Sequence, residues 1–137
     1  MAPAKKSQKL KRLVAVQRHL EKIADMKLAE TIRRREEIAA GLDRVVEALG
    51  SMDPVHRQFA QNYAERFSRL TQDDKRMADV QRVEENQVLR ERTKAERLEE
   101  KMKQARTHED EETAEIQLME LLDIKFATPA SSKLQER

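Results

Sequence analysis

Apolar residues recur along most of this chain at alternating steps of three and four, the spacing of a helix that buries one narrow stripe. The stripe is plainest at Ile38, Leu42, Val45 and Leu49. Upstream, Leu20, Ala24 and Leu28 step by fours and carry the stripe around the helix, and Leu10, Leu13 and Val16 extend it toward the N-terminus. These positions predict a first helix from about Lys9 to Leu49. The next pattern runs Tyr63, Phe67, Leu70, Asp74, Met77, Gln81, Glu84, Val88, Glu91, Ala95, Leu98, Met102, Ala105. Steps of four and three alternate throughout, so a second helix is expected from Pro54 to at least Arg106. Polar residues interrupt the middle of its seam, with Val80 and Val83 beside them. Polar seam positions reduce stability and can fix register.

The strongest break between the two patterns is Gly50-Ser51-Met52-Asp53-Pro54. Gly50 suits the left-handed residue that ends a helix. Asp53 before Pro54 suits an N-cap and first turn. So short a link joins only antiparallel neighbours. Folding back near residue 51 or 52 sets Leu49 against Val55 and Leu13 against Arg90, and leaves helix two unaccompanied from about Ala95. Gly41, inside the first pattern, should cost its helix about 1 kcal/mol relative to alanine.

The fold class expected is therefore all-α: a long antiparallel two-helix coiled-coil hairpin over residues 9–106, turning at 50–54, with room for a short C-terminal third helix. Residues 1–8 are expected to be flexible. Residues 107–127 form a tail, first acidic, then apolar through Ile116, Met119, Leu122 and Phe126, with Leu118 and Leu121 widening the stripe. Residues 128–137 are expected to be disordered.

Composition narrows the function. With 39% charged residues, 3% aromatic, two glycines and no cysteine among 137 residues, a turn-rich β domain, a disulfide scaffold and a thiolate metal site are excluded. His19, His56 and His108 lie far apart, without the spacing of a metal site. No glycine-rich phosphate loop or nucleophile–base arrangement can be nominated, and a helix pair offers no deep cleft. The chain is read as a non-enzyme without cofactor. No run is apolar enough to span a membrane, and the basic N-terminus lacks a secretory apolar core. A cytoplasmic location follows as the expectation.

Charge is polarised. Residues 1–35 carry eleven Lys/Arg against three Asp/Glu, and residues 107–123 carry seven Asp/Glu and no Lys/Arg. The basic end could meet phosphates, but acidic residues recur elsewhere and no aromatic platform interleaves the cations, which argues against nucleic acid. Phe59, Tyr63 and Phe67, three of the four aromatics, lie beside the turn at steps of four. That step drifts off a straight seam, so one edge of this patch is a candidate partner surface.

Leu10-x-x-Leu13-x-x-x-Gln17-Arg18-x-x-Glu21-x-x-Ala24-x-x-x-Leu28-Ala29-Glu30 resembles the opening of the FliJ-type proteins of flagellar export and of their YscO-type injectisome counterparts. His56-Arg57-Gln58-Phe59, with Tyr63 and Leu70 after it, and Arg92-Thr93-Lys94-x-x-Arg97-Leu98 are similar to later parts of that family. The likeness covers about residues 9–106 and leaves out the apolar tail. It implies a coiled-coil hairpin that binds the export ATPase ring, the membrane export gate and export chaperones, peripheral at the inner face of the membrane. Carried over by position, the gate-contacting patch falls on Phe59, Tyr63 and Leu70, with Leu42 and Val45 opposite. The alternatives are a generic cytoplasmic coiled-coil scaffold or dimerisation module and, less favoured, a nucleic-acid-associated coiled coil.

Overall fold

The computed structural model describes residues 4–135, with side chains described to residue 127. Three helices follow one another: α1 (Lys6–Gly50), α2 (Pro54–Gln58) and α3 (Ala60–Gln135). The protein is all-α, with no strand among the described residues. No helix there is long and apolar enough to cross a membrane. The chain divides into two compact units: Val16–Ala95, and the residues before and after it.

Within Val16–Ala95, α1 and α3 run antiparallel. Gln17 meets Glu91, Thr31 meets Glu84 and Arg35 meets Asp74, so partners on α3 fall in number as those on α1 rise. The inward residues of α1 are Gln17, Glu21, Ala24, Leu28, Thr31, Arg35, Ile38, Leu42 and Val45, at unbroken steps of four and three. The inward residues of α3 are Leu70, Asp74, Met77, Gln81, Glu84, Val88, Glu91 and Ala95, which keep the expected register. Phe67 also lies in that register but is 40% exposed.

The seam of α1 differs from the expected one. Val16, Leu20 and Leu49 are exposed, and Gln17, Glu21, Thr31 and Arg35 take the inner positions. The cause lies on α3, where Asp74, Gln81, Glu84 and Glu91 need partners. A polar group taken from water must be hydrogen-bonded or it destabilises the fold. Gln17 Nε2 donates to the Glu91 carbonyl oxygen at 3.1 Å and to the Glu91 carboxylate. Thr31 Oγ1 donates to Glu84 at 2.7 Å. Arg35 donates to both Asp74 oxygens, at 3.0 and 3.3 Å, and to Gln81 at 2.9 Å. Among the described residues, no buried side-chain nitrogen or oxygen is left without a partner.

The turn also differs in detail. Asp53 caps α2, its side chain accepting from the Val55 N–H at 3.0 Å, with Pro54 in the first turn. Gly50 is the last residue of α1 and does not have a positive φ; no described residue does. The chain therefore leaves α1 without a left-handed cap, through the extended Asp53. Helix two is not continuous from Pro54. At Phe59 (φ −103°, ψ 15°) the backbone leaves helical geometry, and α3 begins one residue later. These turn residues use up chain before α3 pairs, and the register shifts. Leu13 against Arg90 implies Gln17 against about residue 86 (90 − 4), whereas Gln17 in fact meets Glu91.

In the other unit, α1 begins at Lys6, three residues before the expected start. Its first turn is tied down: the Ser7 N–H donates to Glu109 Oε1 at 3.0 Å and the Ser7 hydroxyl to Glu109 Oε2. Helix α3 is thus accompanied as far as Glu109 rather than Ala95. Leu10 is buried, while Leu98, Met102 and Ala105 are half-buried. Residues 110–127 are all exposed. They continue α3 and form no separate third helix, and the helix bounds reach Gln135, into the segment expected to be disordered. Residues 1–3, 136 and 137, also within segments expected to be flexible or disordered, lie outside the described residues.

Candidate functional site

The five candidate contact residues all belong to the Val16–Ala95 unit, around its turn. Phe59 is 44% exposed at the break between α2 and α3. Its carbonyl accepts the Tyr63 N–H at 3.0 Å and so starts α3. Tyr63 is half-buried. Its hydroxyl lies 2.9 Å from His56 Nδ1, with the two rings tilted at 48° and 5.8 Å apart. This bond spans the break and holds α2 against α3. Leu70 and Leu42 are half-buried in the seam, and Val45 is 4% exposed. Val45 is therefore floor rather than surface, and Phe59 is the most accessible of the five.

Two hollows lie side by side here. One, of about 200 Å³, is lined by Gly41, Arg44, Val45, Ala48, Tyr63 and Arg66. The other, of about 500 Å³, has an apolar floor of Ile38, Gly41, Leu70 and Met77, with Arg34, Arg44, Arg66 and Arg76 around it and Glu37 and Asp73 among them. Tyr63 and Val45 meet at the first, and Leu70 belongs to the second. Phe59 and Leu42 line neither. Gly41 joins the two because it presents no side chain: a Cβ there would stand 3.5 Å from Leu70 Cδ1.

The charges differ in how they are engaged. Arg34 lies 3.4 Å from Glu30, and Arg76 lies 4.0 Å from Asp73. Arg44 and Arg66 are exposed and have no ion-pair partner among the described residues. Farther along the same unit, Glu21 sits between Arg18 at 2.6 Å and Arg92 at 3.1 Å. Hydrogen bonds first from Arg18 and then from Arg92 hold its carboxyl below the ordinary 4.5. The Asp74 hydrogen bond raises the Arg35 guanidinium above its ordinary value. These pairs are structural, since each joins residues of the seam or its margin.

Sequence reasoning passed over the Arg44–Arg66 pair and the role of Gly41. The signal was available in part: counting back from Ile38 in threes and fours lands on Arg35, Thr31, Leu28, Ala24, Glu21 and Gln17, while Gly41, Arg44 and Ala48, each one residue before Leu42, Val45 and Leu49, share one flank of the forward stripe. The hollows can hold apolar side chains and anions. Among the described residues, no group of three or more His, Asp or Glu is placed to hold a metal ion.

The fold and the site define a class: an all-α protein built on a long antiparallel helix pair, with a cation-rimmed groove beside its turn. Comparison with family models, curated proteins and solved structures finds no match that would narrow the class further.

Proposed function

We propose that this chain is a non-catalytic coiled-coil component of a flagellar or type III protein export apparatus, which couples the export ATPase ring to the membrane export gate and handles export chaperones at the cytoplasmic face. The reading rests on the FliJ/YscO-type resemblance of residues 9–106. The observation that carries it farthest is the antiparallel helix pair, whose turn presents Phe59 at the surface with Tyr63 beside it. A seven-residue repeat that keeps one seam buried on both helices is the pattern of a coiled coil. Aromatics at the end of such a hairpin are good interface anchors, because they bury much area at little entropic cost.

The test has two arms. The tagged chain is captured from its source cell and the co-purifying proteins are identified. An export ATPase together with an export-gate protein supports the proposal, and nucleic acid alone overturns it. Then Phe59→Ala and Tyr63→Ala are compared with wild type. Each should keep its helicity while motility or secretion falls, since truncating an anchor typically costs about 2 kcal/mol, or roughly 25-fold in affinity. Normal export by both folded variants overturns the assignment of these positions.

A second reading, a generic scaffold or dimerisation module, is favoured by one observation: the exposed apolar stripe beyond residue 110.

A further inference from the structure

The segment after Glu109 is helical, and its large apolar residues are exposed. Ile116, Leu118, Met119, Leu121, Leu122, Ile124 and Phe126 are between 44% and 77% exposed. Glu115, Glu120 and Asp123 are interleaved with them, and residues 107–123 hold no lysine or arginine. Leu118 and Leu122 are one helical step apart, so they project together. Glu115 lies one turn before them and Asp123 beside Leu122. The face thus reads as apolar side chains flanked by carboxylates.

The groove at Gly41 has the opposite character. Its floor is Ile38, Gly41, Leu70 and Met77, and its rim carries four arginines against two acids, a net of +2 (4 − 2). Arg44 and Arg66, on opposite helices, have no ion-pair partner among the described residues. Position 41 lacks a side chain and is itself buried beside Leu70, so no α1 side chain rises above the floor there. Guanidinium groups pair carboxylates in fork geometry, and complementary charge around an apolar contact selects partner and orientation.

We propose that the Gly41 groove of one molecule receives the acidic apolar segment 110–127 of a second copy. Leu118 and Leu122 meet the Leu70–Met77 floor, and carboxylates such as Glu115 and Asp123 pair with Arg44 and Arg66. The contact joins unlike surfaces, so it either closes reciprocally into a dimer or propagates. It does not rest on the export reading.

Sedimentation equilibrium of the full chain tests it, over a concentration series and at low and high salt. Self-association that weakens with salt is expected. The variant Arg44→Glu with Arg66→Glu should weaken association at least about tenfold, and so should Glu115→Lys with Asp123→Lys, since like charges then face each other. All four positions are exposed, so circular dichroism should show unchanged helicity. The decisive arm is a chain carrying all four reversals, in which the charges are complementary again and association returns. A chain that stays monomeric at every concentration overturns the proposal. So does association indifferent to either pair of reversals, or a fourfold variant that remains as weak as the pairs.

Discussion

Replacing Gln17 with leucine isolates what a polar pair in the seam contributes. Gln17 is 9% exposed and Glu91 8%. The Gln17 amide donates to both the carbonyl and the carboxylate of Glu91. In Gln17→Leu the carboxylate stays buried and loses this donor. It keeps Gln87 at 2.7 Å and Lys94 at 3.7 Å, so the loss should lie at the lower end of the range for a hydrogen bond to a charged group, about 2 kcal/mol. For a chain of this length that lowers the melting midpoint by roughly 6–10 °C. Glu91→Leu leaves the amide its bond to the backbone carbonyl and should cost less, about 1 kcal/mol. The double variant removes both polar groups and fills the layer with apolar atoms, which is commonly neutral or stabilising. Urea unfolding followed by circular dichroism, at one fixed protein concentration because association shifts apparent stability, gives the full cycle. The double variant should be more stable than the sum of the singles predicts by at least about 1 kcal/mol. Simple additivity would refute the pairing of Gln17 with Glu91.

Other perturbations test separate parts of the fold. Gly41→Ala should stabilise by about 1 kcal/mol through helix propensity, because the new Cβ meets Leu70 Cδ1 at an ordinary 3.5 Å; a lower melting midpoint would refute this. Leu42→Asp should destabilise by about 2 kcal/mol or more, since it drives a charge into the seam, and a melt unchanged from wild type would count against the register. Acid should weaken the fold: Glu21 and Glu109 have carboxyls held below 4.5, Glu21 first by Arg18 and Glu109 first by the Ser7 hydroxyl. A depressed folded value means that stability is present above the unfolded value and is lost as pH falls through the folded one. Midpoints recorded from about pH 6 down to pH 3 should therefore fall, and the fall should be shallower in Glu21→Gln; an identical slope in that variant would remove Glu21 from the account.

The helix at Ile38–Val45 and the whole inward register of α3 were legible because their periodicity continues through the polar positions. The first half of the α1 seam was not. Reading apolar letters alone leads to Leu13, Val16 and Leu20, whereas the buried residues include Gln17, Glu21, Thr31 and Arg35. Polar seam residues are recognised only through their partners, and a single helix pattern does not show those. Asp53 as a cap was readable from Asp-Pro. The break at Phe59 carries no such signal, because neither Gly nor Pro marks it. The break uses up chain, so the pairing offset could not be counted correctly either, and the reach of α1 to Glu109 was underestimated with it. At the candidate site, the aromatics stood out by their rarity. Arg44 and Arg66 were hidden in a chain that is 39% charged, and only pairing geometry separates them from the engaged arginines.

The polar layers explain how a helix pair with so narrow an apolar seam keeps one alignment. Heptad seams are nearly degenerate to a slip of seven residues, since apolar positions then meet apolar positions again. Here such a slip is not degenerate. Sliding α3 by one heptad in one direction sets Gln17 against Glu84, but it brings Thr31 against Met77 and Arg35 against Phe67. The Arg35 guanidinium then keeps at most one of its two α3 partners. Sliding the other way sets Arg35 against Gln81 and Val88 and takes it away from Asp74. Each slip strands a polar or charged group against an apolar one in a half-buried layer, and every such group costs about 1–3 kcal/mol. Two or three stranded groups are comparable with the whole stability of a small domain. Apolar contacts therefore hold the helices together, and Gln17–Glu91, Thr31–Glu84 and Arg35–Asp74 set which residues face each other. The same alignment places Gly41 against Leu70 with Arg44 and Arg66 on either side, so the groove exists only in the register that these polar pairs select.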